Sequence, residues 1–540
     1  MKKYGISLHL RTHIQVRITF TYHTYHLTQS LSIHHISNYL IHSHTGGEKI
    51  LLRCAGKVAT EAFKKTHPSD LADRLLSASQ CVGVVNASTV TNTDVATIEQ
   101  VYPTVKSKSK RPTSEKPSLN EMLNVFDFES VARRVMDKEG WGYYSSGADD
   151  EITLRENHTA FQRIWLIPRV LVNVSTIDTS TRILGQYADI PLYFTATALG
   201  KLARTFSISP SLSPITHTHT HTHTDPDGEL AITRAAGRCK VPYMLPTLSS
   251  YTLKEMLDAK ISPDQTQFGQ LYVNADRSKS FQYVRELEKG GCRGLFITVD
   301  APQLGRREKD MRNKFESQGT DVQSEDEVNR NEGVTRAISS YIDPSLSWAD
   351  IEAFRSMTKM PIVLKGVQCA EDAVLAYHAG CTGVVLSNHG GRQLDTARSG
   401  IEILEDVVQA LDRHVGRDRW RGHFELYVDG GIRRATDIFK AVAMGATAVG
   451  VGRPVLYSLA SYGQQGVERM VRLLKDELIM VMRLMGTPQI SDIQSNHVIT
   501  RNLKDHVPSQ GRDHLHLDTY EPLTSAGSIS MRGEKFSSKM

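Results

Sequence analysis

The sequence predicts an α/β protein, a (β/α)8 TIM barrel behind a smaller N-terminal domain, and three observations point there. Eight short apolar runs recur between residues 190 and 454, with amphipathic stretches between them. Five successive runs, the third to the seventh, end in polar residues that a buried strand does not favour. After the seventh and eighth, glycines precede an arginine, the pattern from which such barrels build a phosphate site. A doubly wound sheet is the runner-up, because it too alternates strand and helix.

The first four runs are IPLYFTATA (190–198), VPYMLPTL (241–248), QFGQLYV (267–273) and GLFITVD (294–300). The second four are PIVLKGV (361–367), GVVLSNH (383–389), ELYVDGG (425–431) and TAVGVGRP (447–454). Each has the length and β-branched content of a strand buried on both faces. ELAITRAAGRC (229–239), SFQYVRELEKG (280–290), AEDAVLAYHAG (370–380) and RRATDIFKAVAMG (433–445) repeat apolar residues at helical spacing. A barrel brings all strand C-termini to one face. Gln270, Tyr272, Thr298, Asp300, Lys365, His389 and Asp429 are therefore expected together there.

The flanks are less regular. Residues 1–43 are an atypical N-terminus; residues 1–47 hold eight of the 22 histidines and no Asp or Glu. Such a basic, hydroxyl-rich start reads as an organelle presequence, or as upstream non-coding sequence carried into the chain. Residues 44–76 mix turn and helical signals, 77–117 read as a linker, 118–500 hold the barrel, and 501–540 form a C-terminal tail. Inside the barrel, residues 204–226 read as an insertion containing THTHTHTHT (216–224). Alternating histidines without an acidic ligand make a weak metal site. A translated dinucleotide repeat from retained intron sequence explains them better, and the barrel is expected to tolerate the excursion.

Composition excludes several classes. A net charge of +5 over 540 residues does not call for a nucleic-acid partner. No run of eighteen apolar residues predicts a membrane span. The six cysteines are scattered without a CxxC pair, which fits reduced thiols rather than a zinc site or disulfide framework.

The expected site has a definite chemistry. DGGIRR (429–434) offers Asp429, Gly430, Gly431 and Arg433 at a helix start, and GVGRP (450–454) adds Gly452 and Arg453. Close backbone approach, helix N–H groups and two guanidiniums suit a phosphate dianion. In SNHGGRQLD (387–395), His389 stands at a strand end, where Asp300 can orient it as a general base. Arg392 and Arg307 can clamp a carboxylate, and Lys365 in a buried strand is costly unless it faces an anion.

SNHGGRQLD, LYVDGGIRRATDIFKA, TVDAPQLGRREKDMR, PIVLKGV and WGYYSSGADDEITLRENHTAF together resemble the FMN-dependent L-2-hydroxy-acid dehydrogenases and oxidases, collinearly from about residue 120 to 500. The tail and the upstream segment are most similar to the two-domain, cytochrome-linked L-lactate dehydrogenases of that family. Residues 44–76 resemble the second half of a cytochrome b5-like haem domain, whose first half is not recognisable in 1–43. His44 in HTGG and His67 in FKKTHPSD match its two axial haem-iron ligands.

The resemblance implies a set of roles. His389 is the base and Asp300 supports it; Arg392 and Tyr143 bind the substrate carboxylate with Arg307 assisting; Tyr272 bonds the hydroxyl or carbonyl. Lys365 neutralises the reduced flavin, Gln270 and Thr298 meet the pyrimidine edge, Ala196, Thr197 and Ala198 lie against the ring, and Arg433 and Arg453 take the phosphate. Ser249 matches the oxidase branch, as does Tyr251, whereas Leu248 and Ala198 leave room for a methyl group; Pro246 departs from the serine of the lactate branch. The implied cofactors are FMN and haem b, the substrate L-lactate or a similar 2-hydroxy acid, and the acceptor cytochrome c. A homotetramer in the mitochondrial intermembrane space follows from the same resemblance, with the cytoplasm as alternative. A flavin-only, oxygen-using oxidase and a redox-inactive phosphate-binding barrel are the competing readings. The charged stretch from Gln303 to Asp343 reads as a long loop, either a lid or a plain crossover.

Overall fold

A computed structural model of the chain describes residues 116–203, 227–315 and 342–506, side chains ending at Met311 in the second stretch, and the backbone of three strands nearer the N-terminus. The chain divides into two compact units, with a boundary between Glu115 and Lys116.

In the first unit β1 (Val16–Tyr22), β2 (Ser30–Ile36) and β3 (Cys81–Val85) form an antiparallel sheet with β2 in the middle. Two of these strands fall in the stretch expected to be an atypical N-terminus, and β3 falls in the expected linker. The five-residue CVGVV run is short, and the surrounding Ser, Thr and Asn conceal it. His44, His67 and the linker residues 77–80 and 86–115 lie outside the described residues.

The second unit begins with α1 (Val125–Val135), α2 (Lys138–Ser145) and α3 (Ile152–Gln162). Asn124 caps α1 by accepting from Phe126 N and Asp127 N. The hairpin β4 (Thr181–Ile183) and β5 (Gln186–Ala188) follows. Then come the eight barrel strands in chain order: β6 (Leu192–Phe194), β7 (Tyr243–Leu245), β8 (Gln267–Leu271), β9 (Leu295–Thr298), β10 (Ile362–Val367), β11 (Gly383–Leu386), β12 (Glu425–Asp429) and β13 (Ala448–Val451). They close into one parallel barrel with β13 pairing β6, and each lies inside one of the eight apolar runs.

The barrel is filled rather than hollow. Tyr193, Met244, Phe268, Phe296, Val363, Val385 and Tyr427 interdigitate at its centre and are fully buried. The hairpin closes the N-terminal end: Ile183 and Leu184 join the same cluster, and both carboxylate oxygens of Glu425 accept from Leu184 N, at 3.2 and 3.0 Å. Burial pushes the Glu425 carboxyl up, although Tyr427 and the Leu184 amide oppose it.

One expectation changes here. The stretch from Gln303 to Asp343 is not simply a loop, because Glu308–Phe315 is a helix that places acidic Glu308 and Asp310 in its first turn. Residues 316–341 lie outside the described residues. The 204–226 insertion also lies outside them, but its two flanks are held together. Glu229, buried at the start of the helix Gly228–Cys239, accepts from Gly200 N at 2.7 Å and from Ser250 N at 2.9 Å. Deleting 204–226 is expected to leave the barrel folded. The shorter closed loop regains about 1–2 kcal/mol of chain entropy, seen as a small rise in Tm. A fall in Tm or loss of soluble protein would show that the segment is part of the fold.

Candidate active site

The ends of the barrel strands surround a cavity of about 970 Å³, including its open mouth. It is lined by Tyr143, Ala196, Thr197, Ala198, Gln270, Tyr272, Thr298, Arg307, Lys365, His389, Arg392, Asp429, Gly430, Gly431, Arg433, Gly452 and Arg453, all expected from sequence. Three expected residues are not in the lining, one of them Leu248, expected beside Ala198 at the methyl group. Asp300 lies buried behind His389. Ser249 turns its hydroxyl to the Tyr251 carbonyl of its own loop and does not face the cavity.

His389 is presented by unusual backbone. It has a φ of 59° and is followed by two glycines, also left-handed, while its N–H donates to Ser387 Oγ at 3.1 Å. Few side chains tolerate this conformation, which turns the imidazole out of the strand line into the cavity. Nδ1 lies 2.9 Å from Asp300 Oδ1 and Nε2 lies 3.2 Å from the Tyr272 hydroxyl. A register shift between Lys365 and Val367 makes room for Asp300. A Cβ on Gly366 would lie 2.5 Å from the Asp300 side chain, so only glycine fits.

The electrostatics make this a neutral base beside a charged partner. Burial pulls the His389 pKa below its ordinary value; Asp300 opposes, while Lys365 and Arg307 reinforce the fall. Burial raises the Asp300 carboxyl, but its interaction and hydrogen bond with the His389 ring, together with the Lys365 charge, outweigh it and hold it below the usual range. Lys365 donates to Ser387 Oγ at 3.1 Å and pairs with Asp429 Oδ2 at 3.2 Å. Burial lowers its pKa, yet Asp429 and Asp300 more than compensate, so it remains an ammonium ion.

Two arginines hold the end of α2. Arg392 Nη1 donates to Tyr143 O at 2.6 Å and Ser146 O at 3.1 Å, and its guanidinium lies 5.0 Å from the Tyr143 ring. Arg453 donates to Tyr144 O, Gly390 O and Ser146 O at 2.8–2.9 Å. Carbonyls at a helix C-terminus lack partners within the helix, which is why cations settle there. This anchoring places Tyr143 in the cavity, while the Tyr144 hydroxyl donates to Leu199 O at 2.6 Å.

Burial brings Arg453 down to about 10, and burial with Arg392 brings Arg307 down to about 9. Arg307 donates to Arg392 O and to Gln393 Oε1, each at 3.3 Å. Neither Arg307 nor Arg453 pairs with a carboxylate among the described residues, and each guanidinium keeps unused donors. Buried cations of this kind call for anionic ligands.

The phosphate reading needs one adjustment. The N–H groups of Arg433 and Arg434 are not available at the start of the helix Ala435–Ala443, because Asp437 Oδ2 accepts both at 3.0 and 2.9 Å. The cradle instead consists of the guanidiniums and the double glycine. A Cβ on Gly431 would fall 1.8 Å from Asn157 O, so the loop runs flat against α3. Thr195 Oγ1 and Asp429 Oδ1 are buried without a hydrogen-bond partner, and both residues line the cavity. Paired cations, a side-chain-free loop and orphaned polar atoms fit a large phosphorylated ligand with polar ring edges.

Several residues escaped the sequence reading. Thr247 organises the Gln270 corner: its N–H donates to Gln270 Oε1 at 3.0 Å and its hydroxyl to Gln270 O at 2.6 Å, while Gln270 Nε2 donates to Thr298 Oγ1 at 2.9 Å. Gln393 bonds Asp300 O and Gln303 O, both at 2.9 Å. Leu304 also lines the cavity.

The family model described as FMN-dependent dehydrogenase matches residues 132–208 and 204–500. The chain belongs to this family. A second model, the cytochrome b5-like heme/steroid binding domain, matches residues 25–86, extending beyond 44–76 on both sides. An L-lactate dehydrogenase (cytochrome) of Wickerhamomyces anomalus is 43% identical over 90% of this chain and 79% of its own. The peroxisomal (S)-2-hydroxyacid oxidase GLO4 of Arabidopsis thaliana is 40% identical over 71% of this chain and 98% of its own. A solved flavocytochrome b2 double mutant with pyruvate bound aligns with a TM-score of 0.63 at 40% identity, covering 83% of this chain and all of that one.

Proposed function

We propose that the chain oxidises L-lactate to pyruvate and passes the electrons through a haem to cytochrome c. The observation that carries this reading is the haem-domain match at 25–86 ahead of a complete barrel site. The barrel-only oxidase relative covers 71% of the chain, whereas the cytochrome-linked relative covers 90%.

FMN, when bound, would accept two electrons and one proton as the alcohol carbon becomes a carbonyl, the other proton passing to His389. Arg433, Arg453 and the Gly430–Gly431 turn would hold its phosphate, Gln270 and Thr298 would meet its polar edge, and Lys365 would face its anionic charge. His389 takes a proton from the substrate at Nε2, and Asp300 at Nδ1 stabilises the imidazolium that results. Tyr272, hydrogen-bonded to the same Nε2, directs the substrate oxygen to that nitrogen. Arg307, Arg392 and Tyr143 fix the carboxylate, which orients the reacting carbon. His44 and His67 would hold the haem iron, and the haem would carry electrons one at a time. The homotetramer and the intermembrane-space location extend the same reading and are tested by light scattering and by cell fractionation.

Purified protein should show flavin and Soret bands, and L-lactate should bleach the first and sharpen the reduced haem bands. A flavin band without a Soret band, with oxygen as acceptor, would establish the oxidase instead. The pH profile follows from the base. Because the folded pKa of His389 is lowered, the imidazole stays unprotonated below the ordinary value of 6.5, and the acid limb of turnover should lie under that pH. Asp300→Asn removes the charge that opposes the fall, so the limb should move lower still. The maximal rate should drop by about 10²-fold as the imidazolium loses its counter-charge. An unshifted limb in that variant would refute the assignment of the base.

A further inference from the structure

Helix α3 lies outside the barrel, yet two consecutive residues on it touch the two loops that matter most. Asn157 and Asn388 form a reciprocal amide pair: Asn157 Nδ2 donates to Asn388 Oδ1 at 2.9 Å and Asn388 Nδ2 donates to Asn157 Oδ1 at 2.8 Å. Both residues are buried, 2% and 1% exposed. Asn388 directly precedes His389, and its amide also donates to Arg398 O at 3.0 Å and accepts from Gly391 N at 2.9 Å. The same Asn157 packs on the double glycine: a Cβ on Gly430 would first meet its side chain, at 3.1 Å, and a Cβ on Gly431 its carbonyl, at 1.8 Å. His158 Nδ1 lies 3.2 Å from Gly431 O. One residue therefore contacts both the loop that carries the base and the loop that grips phosphate.

We propose that Asn157 is a positioning residue that couples occupancy of the phosphate cradle to the placement of His389. A two-bond amide pair fixes both separation and rotation, which a single hydrogen bond or an apolar contact does not. Displacement of the glycine turn is transmitted to Asn388 and from there to the neighbouring imidazole. The inference rests on the proposed function, because it takes the Gly430–Gly431 cradle to hold the FMN phosphate.

The test uses the full-length protein, with FMN affinity of the apoprotein read by flavin fluorescence and turnover read with L-lactate and ferricyanide at saturating FMN. In Asn157→Asp the carboxylate sets an oxygen without a hydrogen against Asn388 Oδ1, whereas the protonated acid restores the donor and the pair. FMN affinity and kcat should both fall about tenfold or more at pH 8 relative to wild type, the scale of a lost buried hydrogen bond. Both should return to within about twofold at pH 5. Asn157→Ala should be weakened equally at the two pH values. The other titratable or charged groups around the pair are His158, Arg433, Asp437 and Glu129 on or beside α3, and Arg398, His389 and Asp395 on the base loop, Asp395 accepting from Thr153 N at the start of α3. Wild type measured at each pH cancels their contribution. A purely structural role would lower apoprotein Tm in both variants without a pH-dependent change in FMN affinity, and that result would overturn the proposal. So would wild-type FMN affinity in Asn157→Ala. If wild type binds FMN but does not oxidise L-lactate, the functional reading fails while the affinity comparison still decides the coupling.

Discussion

His389→Gln is expected to lower maximal turnover of L-lactate by about 10²–10⁴-fold, the range for removal of a general base. Glutamine is close to histidine in length and can still donate toward Asp300, so the buried carboxylate keeps a partner and the fold is retained. What is lost is an acceptor that holds a proton at neutral pH. FMN content should be unchanged, because Arg453 and the glycine turn do not depend on the imidazole ring. The KM should move little, because Arg307 and Arg392 remain in place. Steady-state rates with ferricyanide, together with flavin content by absorbance, check both points. A variant that keeps more than a tenth of wild-type turnover would remove His389 from the mechanism.

Lys365→Met should cost both stability and cofactor. The ammonium is buried between Asp429 and Ser387 in the centre of the site. Breaking a buried pair from one side strands the other charge, at a cost of about 3–5 kcal/mol. The raised folded pKa of Lys365 means that its stabilisation is fully present below its unfolded value near 10.5 and is lost only above it. The deficit should therefore be constant from neutral pH to pH 9. Flavin content should fall as well, since the cavity loses the cation that faces the ligand's charge. Adding Asp429→Asn should recover much of the Tm and none of the flavin. Full recovery of both would mean that Lys365 serves only to neutralise Asp429.

The barrel was legible because each strand is an apolar run that exists in the sequence by itself. PIVLKGV and GVVLSNH needed no partner to be read, and the polar residues at their ends announced the catalytic face. The resemblance supplied Tyr143, whose place is otherwise set by arginines about 250 and 310 positions away, at Arg392 and Arg453. Asn157, Thr247, Glu229 and Gln393 stayed silent for the same reason. Their importance lies in partners that only folding brings near, and an asparagine in a helix or a threonine after a strand has no local signature. The helix N–H groups expected at Arg433 were misjudged because the aspartate four residues on is as ordinary in a cap as in a phosphate site. Sequence pattern reveals which residues face the mouth of a barrel; it does not reveal which of their hydrogen bonds are already spent.

The closed lower end of the barrel has a kinetic consequence. With Leu184 seated on Glu425 and aromatic rings filling the interior, the cavity is closed on the N-terminal side of the barrel, and among the described residues it opens where the strands end. Two ligands that share that mouth would hinder one another's passage. A 2-oxo acid bound there should slow the loss of flavin, read as the rate of FMN release with and without pyruvate.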